Sequence, residues 1–327
     1  MNSLWIKHGL RALFVAAARP VHSFAGTIGI TPRPDEPRHD RTELIPVNAA
    51  DSGPHIGGEF TDCLDDLERR AEEALNKVPH VTSRAEAEGV SRLLPGQLET
   101  SLGLSRAPES SALTALVYSP ARLEEPAPAI LLVFPHDDPR RGQCQAFAVT
   151  LAHLGFIVLT FDYRGDFNLV DLIPHGLSPA GVAQAEIRAG LKYLASRSEV
   201  DHRRIGLIGS GLTATVAAVL NPQFSAVALV DGAPDMEDLL RQMRNLRDAE
   251  LPDWANLIPG LFSYADTEGL FTGIAPRPLL IVNAEQKQSE YVTDLYRAYD
   301  AADRLTARGI LPPVLHGRPP VSGLLAG

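Results

Sequence analysis

The chain has 327 residues, 45% of them hydrophobic and 21% charged, enough to bury one large core and the size of a single α/β domain with an extension. Its formal net charge of −10, with Lys and Arg scattered rather than clustered, offers no basic field for a polyanion and argues against a nucleic-acid partner. Two cysteines, Cys63 and Cys144, are too few for a disulfide framework or a zinc site and leave room for one isolated bridge at most.

The first 34 residues carry Lys7, Arg11, Arg19 and Arg33 and no acidic residue, with Ile6, Leu10, Leu13, Phe14 and Ala17 on one helical face. That pattern suits an organelle transit peptide or a weak secretion signal, and equally an ordinary terminal helix; without a targeting role the protein is a soluble cytoplasmic one. No apolar run approaches the roughly 18 residues a transmembrane helix needs. Residues 31 to 60 are rich in Pro, Gly, His and charge, an irregular lead-in, so residues 1 to 60 read as an extension and residues 61 to 327 as the folded domain. From Thr61 to Val78, Leu64, Leu67, Ala71 and Leu75 recur at helical spacing behind Asp62, Asp65 and Asp66, acids placed where a helix dipole favours them.

Strands are expected at Ala112 to Tyr118 and, after a turn at 124 to 128, at Ala129 to Phe134, whose unbroken apolar run suits a strand covered on both faces. The alternation continues with a helix at 142 to 154, a strand at Ile157 to Phe161, a helix at 178 to 195, a strand at Ile205 to Ile208, a helix at 212 to 220 and a strand at Ala226 to Leu229. Residues 235 to 272 interrupt it, as an insertion or cap does. It resumes with a strand at Leu279 to Val282, a helix at 290 to 305 and a last short strand near Ile310 to Leu315. Strands alternating with helices predict an α/β fold: a mostly parallel central sheet, right-handed crossovers and helices on both faces.

Asp201-His-Arg-Arg-Ile-Gly-Leu-Ile-Gly-Ser-Gly-Leu-Thr-Ala214 resembles the strand-to-helix elbow of α/β hydrolases, which typically reads D-x-x-R-I-G-x-x-G-x-S-x-G-G. Phe161-Asp-Tyr-Arg-Gly-Asp166 is similar to the segment after that family's fourth strand. Tyr264-Ala-Asp266, followed by Ile274-Ala-Pro-Arg-Pro-Leu-Leu-Ile-Val-Asn283, resembles the approach to its acid-bearing strand. The nearest branch is the acetyl-xylan-esterase-like and dienelactone-hydrolase-like esterases, over roughly residues 60 to 317. The resemblance implies an α/β-hydrolase fold and a catalytic triad, and at the triad the chain departs from its pattern.

An acyl-transfer serine sits on a sharp, strained turn with small residues two before and two after it. Anchored on Ile205 to Ile208, that register puts Gly209 at the first small position, Ser210 at the variable one, Gly211 at the nucleophile and Thr213 at the second small position. Gly211 has nothing to attack with. A shift that makes Ser210 the nucleophile puts Ile208 and Leu212 where small residues are required, so Ser210 is expected to cap the following helix instead.

Where the resemblance places an acid, after the strand ending at Asn283, stands Lys287, a cation expected to point to solvent; Glu285 is the nearby carboxylate. The oxyanion loop reads Phe134-Pro135-His136-Asp137-Asp138, in which Pro135 has no N–H to donate and the acids oppose an oxyanion. His136 with its two acids reads as a polar turn rather than a metal site, and no metal or cofactor is expected. His316 is the one histidine after Lys287 and the candidate for the catalytic one.

Three functions follow as expectations. The first is a catalytically degenerate hydrolase kept as a structural, assembly or binding subunit, with a protein partner or a second copy of itself. The second is an active carboxylesterase using Ser210 and His316. The third is a small-ligand site in the remnant pocket, unless Phe134 fills it.

Overall fold

The apolar runs pair into a seven-stranded sheet in the computed structural model, which describes residues 69–78, 81–107, 115–134, 141–161, 172–233, 235 and 258–309. Strands β1 (Ala115–Tyr118), β2 (Ala127–Val133), β3 (Ile157–Phe161), β4 (Val200–Ser210), β5 (Ala226–Val230), β6 (Leu279–Ala284) and β7 (Leu305–Gly309) lie in the order β1-β3-β2-β4-β5-β6-β7. Only β1, at one edge, runs antiparallel to its neighbour; every other pairing is parallel.

Side chains alternate across a strand, and here both sides are buried. Leu131, Leu207, Leu229 and Ile281 enter the larger core, and Leu132, Ile208, Ala228 and Leu280 enter a smaller one on the opposite face. The larger core lies under α1 (Arg84–Leu102), α3 (Pro179–Ser196), α4 (Gly211–Leu220), α5 (Thr267–Thr272) and α6 (Gln286–Ala298). The smaller one packs under α2 (Arg141–His153), which contributes Cys144, Ala148 and Leu151. This is the expected layered α/β sheet, with helices on both faces.

Local chemistry sets the helix starts. Ser178 accepts a hydrogen bond from Gly181 N at 3.0 Å and Pro179 opens α3 with its φ already helical. Asp266 caps α5 in the same way through Gly269 N, which gives the Tyr264-Ala-Asp266 segment a structural purpose. The Asp201 to Arg204 lead-in has one too: Arg204 Nε lies 2.6 Å from Asp201 Oδ2 and its Nη2 donates to Pro126 O at 3.2 Å, tying the start of β4 to the start of β2.

Two expectations need correction. The strand expected at Ile205 to Ile208 extends to eleven residues, because that tie carries the extended backbone back to Val200. The helix expected at 290 to 305 spans Gln286–Ala298, since the chain turns at Asp300, whose φ is 53°. A seventh strand, Leu305–Gly309, pairs with β6 from Leu279 to Ala284, and the strand expected near 310 to 315 lies outside the described residues. Finally α1 has no counterpart among the expected elements. Gly89, Pro95 and Gly96 mask it, whereas the Ser83–Glu86 capping box and the buried stripe Ala87, Leu94, Leu98 and Leu102 mark it.

The expected helix at 61 to 78 is described from residue 69 and is helical over 69–75. Of the interval 235 to 272, residues 236–257 lie outside the described residues, and the part from Ile258 joins the main core through Leu261, Leu270 and Phe271.

Candidate functional site

The chain leaves β2 for β3 on one side and returns to β4 on the other, so the carboxyl ends of β2 and β4 flank the point where the strand order reverses. Crevices in open α/β sheets form at that point. Val133 and Gly209 are paired there; Phe134 follows one residue after the first and Gly211 two residues after the second.

Gly209 has no room for a side chain. A Cβ on it would lie 2.6 Å from Val133 O and 2.7 Å from the Cβ of Ala214, closer than real Cβ contacts come. Gly211 is the opposite case: its φ is +63°, left-handed backbone, and none of the described residues comes within 4 Å of where its Cβ would be. Between them Ser210 ends β4, paired with Val230 and only 5% exposed.

Ser210 also occupies the N-cap position of α4, but its side chain makes no capping hydrogen bond, contrary to expectation. A cap hydroxyl reaches the amides of the first turn when the next residue enters the helix directly; here left-handed Gly211 intervenes. Thr213, at the second small position, is buried at 3%, its carbonyl accepting from Gln184 Nε2 at 2.9 Å while its own Oγ1 has no hydrogen-bond partner.

Lys287 lies in the first turn of α6, exposed as expected, with Nζ 3.4 Å from Asp235 Oδ2. Glu285 is the exposed N-cap residue of that helix and makes no side-chain capping bond. Phe134 is half-buried and packs against the smaller core under α2. Pro135, His136, Asp137, Asp138 and His316 lie outside the described residues.

The structure adds two polar residues that the sequence reading passed over. Ser210, Val230 and Val282 are paired across β4, β5 and β6, so Gly211, Asp231 and Asn283 follow that row side by side, Asn283 at the irregularity between Val282 and Ala284 in β6. All three have left-handed backbone, with φ of 63°, 66° and 61°. Asn283 Nδ2 donates to Asp231 Oδ1 at 3.0 Å, and Asp231 N donates to Val282 O at 2.8 Å. Gly232 is fixed by Gln288, whose Oε1 would lie 2.0 Å from a Cβ there and whose Nε2 donates to Ala233 O at 2.8 Å. An Asp-Gly pair directly after an apolar strand was the available signal.

Among the described residues no group of three or more His, Cys, Asp or Glu is placed to hold a metal ion, and no helix is long and apolar enough to cross a membrane.

The backbone superposes on a candidate acetyl xylan esterase from Bacteroides fragilis with a TM-score of 0.61 and 16% identity, covering 80% of this chain and 84% of that one. The fold is that of an α/β hydrolase. No protein-family model matches the chain. It is 36% identical over 117 residues to an uncharacterized protein of Mycobacterium tuberculosis, covering 36% of this chain and 40% of that protein. A second match, at 29% identity over 127 residues, is to the uncharacterized protein YcjY of Escherichia coli, with the same 36% and 40% coverage. The matches thus span two fifths of the length of these relatives.

Proposed function

We propose that this protein is a catalytically silent α/β hydrolase, retained as a binding or assembly module. The observation that carries the reading is Gly211: a left-handed turn at the strand-to-helix elbow, open where a nucleophile's Cβ would stand, and filled by a residue without one. The crowding at Gly209 supports this register, because the small position two residues before the nucleophile is then the one that tolerates no side chain. Ser210 is a poor substitute, since it is paired in β4 and buried rather than raised above the sheet.

Lys287 at the position that the resemblance assigns to the acid supports the same reading, as does Pro135 in the oxyanion loop, which has no N–H for an oxyanion. Loss of the nucleophile alone removes on the order of 10⁶-fold of rate in a serine hydrolase. For assembly with a protein partner or a second copy, the edge strand β1 exposes Leu116 at 50%, and α2, packed beside it, exposes Val149 at 40%, with Leu154 exposed at 50% in the turn that follows.

Turnover of p-nitrophenyl acetate by the wild type, Ser210→Ala and Gly211→Ser tests the reading. Inert wild type supports it. Wild-type turnover abolished in Ser210→Ala replaces it with a carboxylesterase that uses Ser210.

A further inference from the structure

We propose that Asp231 is the carboxylate of the elbow site, standing one strand closer to Gly211 than the position after β6 that Lys287 occupies. The inference rests on the reading of Gly211 as the vacated nucleophile position and revises one part of it: the site has lost its nucleophile but keeps an acid.

Parallel strands lie about 4.8 Å apart. Because Ser210 pairs with Val230 and Val230 with Val282, the residue after each pair stands at the same height above the sheet. Asp231 is therefore about 5 Å from Gly211, backbone to backbone, and Asn283 about 10 Å. Lys287 is four residues further along, on α6, and is paired with Asp235.

The Asp231 carboxylate is held rather than loose. Asn283 Nδ2 donates to one of its oxygens, its own N–H is bonded to Val282 O, and the Gln288 amide against Gly232 leaves the next residue no alternative but glycine. A carboxylate fixed at this height sets a negative potential over the elbow, where it favours a protonated or hydrogen-bond-donating group and disfavours an anion. Asp231 is a positioning residue in this account: it acts on what lies over Gly211 through its charge. The other charged groups on the adjoining described segments are Asp235, Glu285 and Lys287.

A thiol placed in the open space by Gly211→Cys reports that potential without requiring catalysis. Its alkylation by iodoacetamide is followed against pH by mass spectrometry of the peptide that contains residue 211, which separates it from Cys63 and Cys144. Adding Asp231→Asn is expected to lower the thiol pKa by about half a unit to one unit, speeding alkylation about three- to tenfold at pH 7, because a neighbouring negative charge disfavours the thiolate. Adding Asp235→Asn is expected to change the rate far less.

Equal effects of the two substitutions, or none, would overturn the proposal. If Gly211→Cys does not fold, the unsubstituted chain gives the answer by NMR. The Gly211 amide resonance should move on Asp231→Asn far more than on Asp235→Asn, and a Gly211 amide indifferent to Asp231→Asn overturns it. Neither readout involves ester turnover, so failure here leaves the loss of the nucleophile to be judged by the p-nitrophenyl acetate assay alone.

Discussion

Gly209 sits against Ala214 so closely that a Cβ on the glycine would come within 2.7 Å of the alanine Cβ, while two residues later Gly211 has none of the described residues within 4 Å of the same point. The two glycines are therefore required for different reasons, one by packing and one by backbone conformation. Gly209→Ala is expected to destabilise the fold by about 1 to 3 kcal/mol through overpacking against Val133 and Ala214. Gly211→Ala meets no neighbour and is expected to cost about 1 to 2 kcal/mol for a left-handed φ. Chemical denaturation of the two variants checks this; equal costs with relief of the Gly209 penalty by Ala214→Gly would still fit, whereas a harmless Gly209→Ala would not.

Thr213 carries a buried hydroxyl that finds no hydrogen-bond partner. Burying such a group unpaired costs roughly 1 to 3 kcal/mol. Thr213→Val keeps the shape and removes the polar atom, so the variant is expected to gain about 1 kcal/mol and to melt a few degrees higher. A loss of stability in thermal scanning would mean that the hydroxyl is paired in solution.

Arg277 ties the C-terminal end of α4 and the turn after it to the segment after α5. Its guanidinium donates to Ala218 O at 2.6 Å, Gly273 O at 2.9 Å, Ile274 O at 3.1 Å, Phe224 O at 3.2 Å and Asn221 O at 3.3 Å. Burial pulls its pKa down, yet an arginine so placed stays charged at any pH the fold survives. Arg277→Met leaves these carbonyls unpaired and is expected to cost about 3 kcal/mol or more, read as a lower denaturation midpoint with an unchanged slope.

Asp201 gives the fold part of its acid sensitivity. The Arg204 guanidinium and the Arg203 N–H hold its carboxyl below the ordinary carboxylate value. A depressed folded pKa contributes stability that is present above the unfolded value, near pH 4, and is lost as pH falls through the folded value. Asp201→Asn is thus expected to lower stability at pH 7 and to change it little at pH 2. The group is partly exposed, so the effect is small, below about 1 kcal/mol. A variant with the wild-type pH profile would contradict this.

The sheet was legible because its strands are buried on both faces, which leaves unbroken apolar runs such as Ile157 to Phe161 that periodicity reads directly. Helix α1 was not, since Pro95 and two glycines interrupt a stripe that only tertiary packing makes worthwhile. Strand Leu305–Gly309 was not legible because it is a short strand with weak alternation; the strand expected near 310 to 315 lies outside the described residues. At the elbow the spacing of small residues located Gly209 and Gly211, as sterics of a tight turn must. Asp231 carried only the Asp-Gly pair after an apolar strand as a local signal; its place beside Gly211 follows from strand register across β4, β5 and β6.

The most direct test of the central claim is p-nitrophenyl acetate hydrolysis by the wild type beside Gly211→Ser. The account predicts a wild type indistinguishable from buffer, with any activity gained only when a hydroxyl is supplied at position 211. A wild type that turns over and loses its activity in Ser210→Ala would contradict it and make the chain an ester hydrolase.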